Sequence, residues 1–128
     1  MERLTRAKNR SQEGTMEWKK IVAIIRTEDK LGDVETRLKK IHVRGISVTR
    51  GKGYGEYANF FRSDWSAAHA RLEIYCRLAR TEEIVDAIMD AAQTGLPGDG
   101  IVAVIPVEKV YRIRTRTQGN GDNGLQPA

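Results

Sequence analysis

Residues 70–107 read ARLEIYCRLARTEEIVDAIMDAAQTGLPGDGIVAVIPV, and the fold turns on where their period changes. From 70 to 79 apolar and polar side chains alternate. Leu72, Ile74, Cys76 and Leu78 fall on one face, and Arg71, Glu73, Tyr75 and Arg77 on the other. A period of two is that of a strand with one buried face. At Thr81 the period lengthens: Ile84, Val85, Ile88, Ala91 and Ala92 form an apolar stripe at helical spacing. Thr81 is the expected N-cap, and Glu82 and Glu83 suit the positive end of the helix dipole. Gly95 is expected to stop the helix. After the loop, IVAVIPV is apolar almost throughout and reads as a strand.

The same plan occurs earlier in the chain. Residues 19–26, KKIVAIIR, read as a buried strand. Residues 29–42 place Leu31, Val34, Leu38 and Ile41 at helical spacing, with Thr27 or Asp29 as cap. Gly45 introduces a second strand, ISVTR, and a further short strand is expected around VYRIR at 110–114. Between Gly51 and His69 the chain is irregular and aromatic, with Tyr54, Tyr57, Phe60, Phe61 and Trp65; so long a loop is functional or disordered. The order strand, helix, strand, loop, strand, helix, strand is a doubled unit. It predicts an α+β, ferredoxin-like βαββαβ sandwich with both helices on one face of the sheet. Ile101, Ala103 and Ile105 are expected to meet the helices, leaving Val102 and Val104 on the open face. An apolar open face needs a partner, so an oligomer with its sheets packed inside is expected. Residues 18–116 are read as the domain, 1–17 as a flexible leader, and the apolar-poor stretch 117–128 as a disordered tail.

The composition narrows the function classes. At 128 residues the chain has the length of one domain. No apolar run approaches the roughly 20 residues of a membrane helix, and the polar start MERLTRAKNRSQEGT is not a secretory signal. Cys76 is the only cysteine, which excludes an internal disulfide and a thiolate metal site and makes a reducing cytoplasm the simplest compartment. His42 and His69 share no ligand spacing and read as ordinary surface or loop residues. A net charge of +5 suits phosphate-bearing partners, although the acidic and basic residues are interleaved almost everywhere.

Three short stretches carry candidate chemistry. In PGDG at 97–100, glycines let backbone N–H groups converge on an anion. Asp99 there is read either as an acceptor for a ribose or adenine or as a brace of the loop; the plain alternative for the whole stretch is a helix-to-strand turn. Arg112, Arg114 and Arg116 recur with a period of two, which places three phosphate-matching guanidinium groups on one strand face, or else makes a charged protected edge. GKGYG at 51–55 begins like a dinucleotide fingerprint but lacks the third glycine and the following helix, so that reading fails. No catalytic triad, P-loop or carboxylate pair stands out.

Taken in order, KKIVAIIR, KLGDVETRLKKIHVRGISVTRGKGYG and AAQTGLPGDGIVAVIPVEKVYRIRT resemble the PII signal-transduction proteins, from about Lys19 to Thr115. The resemblance implies a homotrimer with adenine nucleotides in the three clefts between subunits, signalling without catalysis. It places Ile24, Glu73 and Tyr75 around the adenine with Ser47 nearby, and Gly53, Tyr54 and Gly55 at a loop base beside the nucleotide. Gly98, Asp99 and Gly100 would form the phosphate cradle, reached by Arg112 and Arg114 across a subunit boundary. The loop at about 53–69 corresponds to the family's T-loop, which contacts target proteins; Glu56, Tyr57, Phe60, Phe61, Arg62 and Trp65 are its candidate contacts. There are departures. The family's lysine after GDG is Ile101 here, which implies ADP or AMP in preference to ATP. The usual arginine and glutamine of the loop base are Glu56 and Tyr57, which puts 2-oxoglutarate and magnesium in question. Phe61 stands near the place of the modified tyrosine and has no hydroxyl to uridylylate. With its short loop the chain is most similar to the carboxysome-associated PII-like branch, which implies bicarbonate as a further ligand. A nitrogen-regulatory protein sensing ATP, ADP and 2-oxoglutarate is the alternative within the family. Outside it stand a basic nucleic-acid-binding module and a slow nucleotide hydrolase.

Overall fold

The computed structural model describes residues 17–52 and 68–119. Six strands and two helices follow in order: β1 (Trp18–Arg26), α1 (Thr27–Lys40), β2 (Ile46–Lys52), β3 (Ala68–Arg77), α2 (Thr81–Ala92), β4 (Gly100–Val107), β5 (Tyr111–Arg112) and β6 (Thr117–Gln118). The first four strands form one sheet in the order β2-β3-β1-β4. Every neighbouring pair in it is antiparallel. This is the ferredoxin-like sandwich that the alternating periods predict.

The core lies between the helices and one face of the sheet. Ile21, Ala23 and Ile25 of β1 and Leu72, Ile74 and Cys76 of β3 meet Leu31, Val34 and Leu38 of α1 and Ile84, Ala87 and Ile88 of α2, all buried. Full burial of a side chain of this size contributes about 1.5–3 kcal/mol, so the stripe accounts for the helices docking on this face. Burial also raises the pKa of the Cys76 thiol, against a weak contact with Thr81 Oγ1 and the charge of Arg80.

The parity of β4 is opposite to expectation. Ile25 pairs with Gly100, Ala23 with Val102 and Ile21 with Val104, so the even residues of β4 share the helix side with the odd residues of β1. Val102 packs on the core. Ile101, Ala103 and Ile105 therefore lie on the open face with Val22 and Ile24. IVAVI is apolar at every position, so its pattern carries no parity; the register with β1 sets it.

Element boundaries differ where pairing or a cap decides them. Gly51 and Lys52 extend β2, paired with His69 and Ala68, so the loop expected at 53–69 ends two residues early and His69 is a buried strand residue. His42 is exposed, at φ 65° just after α1. Thr81 is not an N-cap: a 3-10 turn at Leu78–Arg80 feeds straight into α2, and the Thr81 hydroxyl donates back to Arg77 O at 3.4 Å. Arg80 instead holds Glu83, at 2.6 and 3.0 Å. Thr27 and Asp29 lie inside α1, whose N-cap position is the extended Arg26 with no side-chain cap. The tail expected from 117 begins with two residues of β6, which close a hairpin on β5. Trp18 Nε1 donates to Gly119 O at 2.8 Å, so a buried indole pins the hairpin to the start of β1. The rest of the expected leader and tail, 1–16 and 120–128, lies outside the described residues.

Candidate functional site

The glycine turn before β4 is held from three sides. Asp99 folds back on the loop: its carboxylate accepts the N–H of Thr94 and of Gly95, both at 2.9 Å, and the Thr94 hydroxyl. Thr94 Oγ1 accepts in turn from Leu96 N–H at 3.1 Å. From the other side Arg26, the last residue of β1, donates through Nε to Gly98 O at 3.2 Å and through Nη2 to Pro97 O. The third hold is close packing. Gly100 has φ 107°, and a Cβ there would stand 1.8 Å from Ile24 O. Gly98 has φ 94°, and a Cβ there would stand 2.8 Å from Arg26 Nη2. Both positions require glycine.

Asp99 thereby braces the loop, with three hydrogen bonds from Thr94 and Gly95 to its two oxygens. Its slight burial favours the neutral acid, but the hydrogen bonds from Thr94 and Gly95 and the charge of Arg26 outweigh this and hold its pKa below the ordinary aspartate value. A depressed folded pKa means that the brace is complete above the unfolded value of about 3.9 and is lost as pH falls through the lower folded value. Protection of the Thr94 and Gly95 amides, taken as exchange relative to the intrinsic rate at each pH, is therefore expected to hold down to about pH 4 and to fall only below it. Asp99→Asn should remove that pH dependence and lower the protection at every pH.

The open face carries the residues expected around a base. Ser47 of β2 and Val22 of β1 both pair with Glu73 of β3, and Tyr75 follows two residues later on the same face. Ile24 is also on this face, 1% exposed, and pairs with both Arg71 and Ile101. The structure thus brings Ile24, Ser47, Glu73 and Tyr75 onto one surface. It adds two residues that the sequence reading missed. Lys20 Nζ lies 3.1 Å from one Glu73 oxygen and Arg71 Nε 3.1 Å from the other. Lys20 also stands 5.7 Å from the centre of the Tyr75 ring. The parity of β1 was the available signal for Lys20: it is two positions from Val22 and four from Ile24. Arg26 was missed too, although it ends KKIVAIIR at the point where strand gives way to helix.

The arginines do not share one strand face. Arg112 ends the two-residue β5, Arg114 lies in the turn, and Arg116 takes φ 57° just before β6. A strand pattern of two fails because the chain reverses at Ile113–Arg116. Their position is nonetheless informative. Gly100 pairs with Ile25 at the end of β1, whereas Val107 pairs with Trp18 at its start, where the hairpin is pinned. Seven residue steps of strand, about 23 Å, separate the two ends. Within one chain the arginine hairpin and the glycine turn are therefore attached at opposite ends of β1. Gly53, Tyr54 and Gly55, and the loop residues Glu56, Tyr57, Phe60, Phe61, Arg62 and Trp65, lie outside the described residues. Among those described, no group of three His, Cys, Asp or Glu is placed to hold a metal, and no helix is long and apolar enough to cross a membrane.

Comparison with known proteins agrees with this geometry. The family model described as "Nitrogen regulatory protein P-II" matches residues 18–117. Nitrogen regulatory protein GlnK2 of Haloferax mediterranei is 37% identical over 109 residues, spanning 79% of this chain and 87% of that one. Nitrogen regulatory protein P-II of Azospirillum brasilense is 36% identical over 108 residues, spanning 79% and 96%. The crystal structure of Arabidopsis thaliana PII bound to citrate superposes with a TM-score of 0.69 at 32% identity, covering 83% of this chain and 92% of that one. A sandwich of this topology with its glycine turn, matched by that family over nearly all of its described length, makes the chain a member of the nitrogen regulatory protein P-II family.

Proposed function

We propose that the chain is a nitrogen-regulatory signalling protein that binds an adenine nucleotide in clefts between three copies of itself. One observation carries the reading: the glycine turn and the arginine hairpin stand at opposite ends of β4, so a second copy is needed to bring Arg112 and Arg114 to a turn that its own chain supplies only with Arg26. The apolar residues Ile101, Ala103 and Ile105 on the open face, with Ile105 42% exposed, supply a surface for the sheets to pack together. Glu73, Ser47 and Tyr75 offer acceptors, a hydroxyl and a ring for the base, and the turn takes the phosphates. Relatives named as nitrogen regulatory proteins favour this reading over the inorganic-carbon branch that the short loop suggests.

Nucleotide choice follows from Ile101. It is the first residue past the turn and carries no charge for outer phosphates, so ADP or AMP is favoured over ATP. Calorimetry with AMP, ADP and ATP tests this, each run with and without 2-oxoglutarate, and separately with bicarbonate. Binding of ADP and AMP in the micromolar range with weaker ATP is expected. Ile101→Lys should improve ATP by about tenfold, the size of one added charged hydrogen bond, and leave AMP unchanged. Enhancement by 2-oxoglutarate supports the nitrogen reading, and enhancement by bicarbonate alone would favour the carbon branch. If no adenine nucleotide binds, the proposal fails.

A further inference from the structure

We infer that Arg26 is a positioning residue that turns two backbone N–H groups of the glycine loop outward as an anion receptor. The inference rests on the nucleotide reading above and adds a residue to it. Arg26 Nε bonds to Gly98 O and its Nη2 to Pro97 O, so one guanidinium takes two successive carbonyls. Neither peptide is cis. In a trans peptide the C=O and the following N–H point to opposite sides of the plane. The 97–98 and 98–99 peptides therefore both turn their N–H groups, those of Gly98 and Asp99, away from Arg26. Two successive N–H groups on one side of a turn form a concavity for an anion.

The arrangement also explains why Gly98 is glycine. The residue sits at φ 94°, where glycine is favoured, and an added Cβ would stand 2.8 Å from Nη2 and push the fork aside. Arg26 is well placed for this task, since it is the last residue of β1 and the N-cap position of α1, both packed against the core. Lysine has one point of charge and cannot bridge two carbonyls in a fixed fork. Asp99 braces the opposite end of the loop through Thr94 and Gly95, which leaves the middle of the turn to Arg26.

The test uses the full chain and compares ADP with adenosine, which has the base and ribose but no phosphate. Arg26→Met and Arg26→Lys are measured by calorimetry, with thermal melting to establish that each folds. Arg26→Met is expected to weaken ADP by about tenfold or more, the loss of an ordered donor pair to a charged group. Adenosine should change less than about twofold. Arg26→Lys should fall between the two for ADP, because it keeps the charge and loses the fork. Equal losses for ADP and adenosine would reduce Arg26 to a structural residue and overturn the inference. So would wild-type ADP affinity in a folded Arg26→Met protein. Failure of the unaltered chain to bind ADP at all would overturn the nucleotide reading itself, and this inference with it.

Discussion

Gly100→Ala is expected to cost the domain about 4 kcal/mol or more, most of the stability of a domain at the low end of the usual range of about 5–15 kcal/mol. Two separate effects combine. The residue sits at φ 107°, where an L side chain is strained. Its Cβ would also stand 1.8 Å from Ile24 O, a backbone atom of the central strand that cannot move without breaking the β1–β4 register. Because the obstacle is backbone rather than a flexible side chain, relaxation offers little relief. Urea denaturation measures the loss. Gly32→Ala is the control: that glycine lies in α1 with nothing within 4 Å of the added methyl, and the change should stabilise by about 0.4–1 kcal/mol. A Gly100→Ala chain as stable as the parent would show that β4 enters the sheet by another path.

The second large effect is on binding. Arg112→Ala with Arg114→Ala should weaken ADP by more than about 100-fold, since two charge-assisted contacts are removed. Arg114 lies in an exposed turn and Arg112 ends β5 half-buried, so a urea melt of the double variant separates any loss of stability from the loss of binding. The sharper experiment mixes two defective proteins. Gly98→Ala damages the turn, and the arginine pair damages the hairpin. If each cleft takes its turn from one copy and its hairpin from another, dissociating and reassembling the two together will regenerate some intact clefts and restore part of the ADP binding. If a single chain supplied both, the mixture would bind no better than its parts. Calorimetry on the mixture, normalised to total chain, decides between them.

Much of the fold was legible because its periods are clean. Leu72, Ile74 and Cys76 alternate with charged or aromatic neighbours, and the stripe on α2 carries Ile84 and Ile88, so strand and helix separate without ambiguity. Legibility failed where the pattern was silent. IVAVI is apolar at every position and says nothing about which side faces the helices. Arg112, Arg114 and Arg116 alternate as in a strand, yet the chain turns back between them, because Trp18, distant in sequence, captures Gly119. The candidate site was legible as composition but not as geometry. Glycines at 98 and 100 announced a close approach, and the close approach is real. What they approach, the Arg26 guanidinium and the Ile24 carbonyl, comes from β1, more than 70 residues away in sequence. Asp99 announced a polar role, and only its contacts with Thr94 and Gly95 show that the role is internal.

β1 ends in two attachments: an indole at its first residue grips the arginine-bearing hairpin, and a guanidinium at its last grips the glycine turn. A nine-residue strand in mid-sheet is a stiff rod. In a closed ring of copies, the rod of each protomer would reach into the cleft on its left with one end and the cleft on its right with the other. A tilt imposed by occupancy on one side would then be carried mechanically to the other, and the expected result of an ADP titration of such a ring is an isotherm that departs from independent, identical sites.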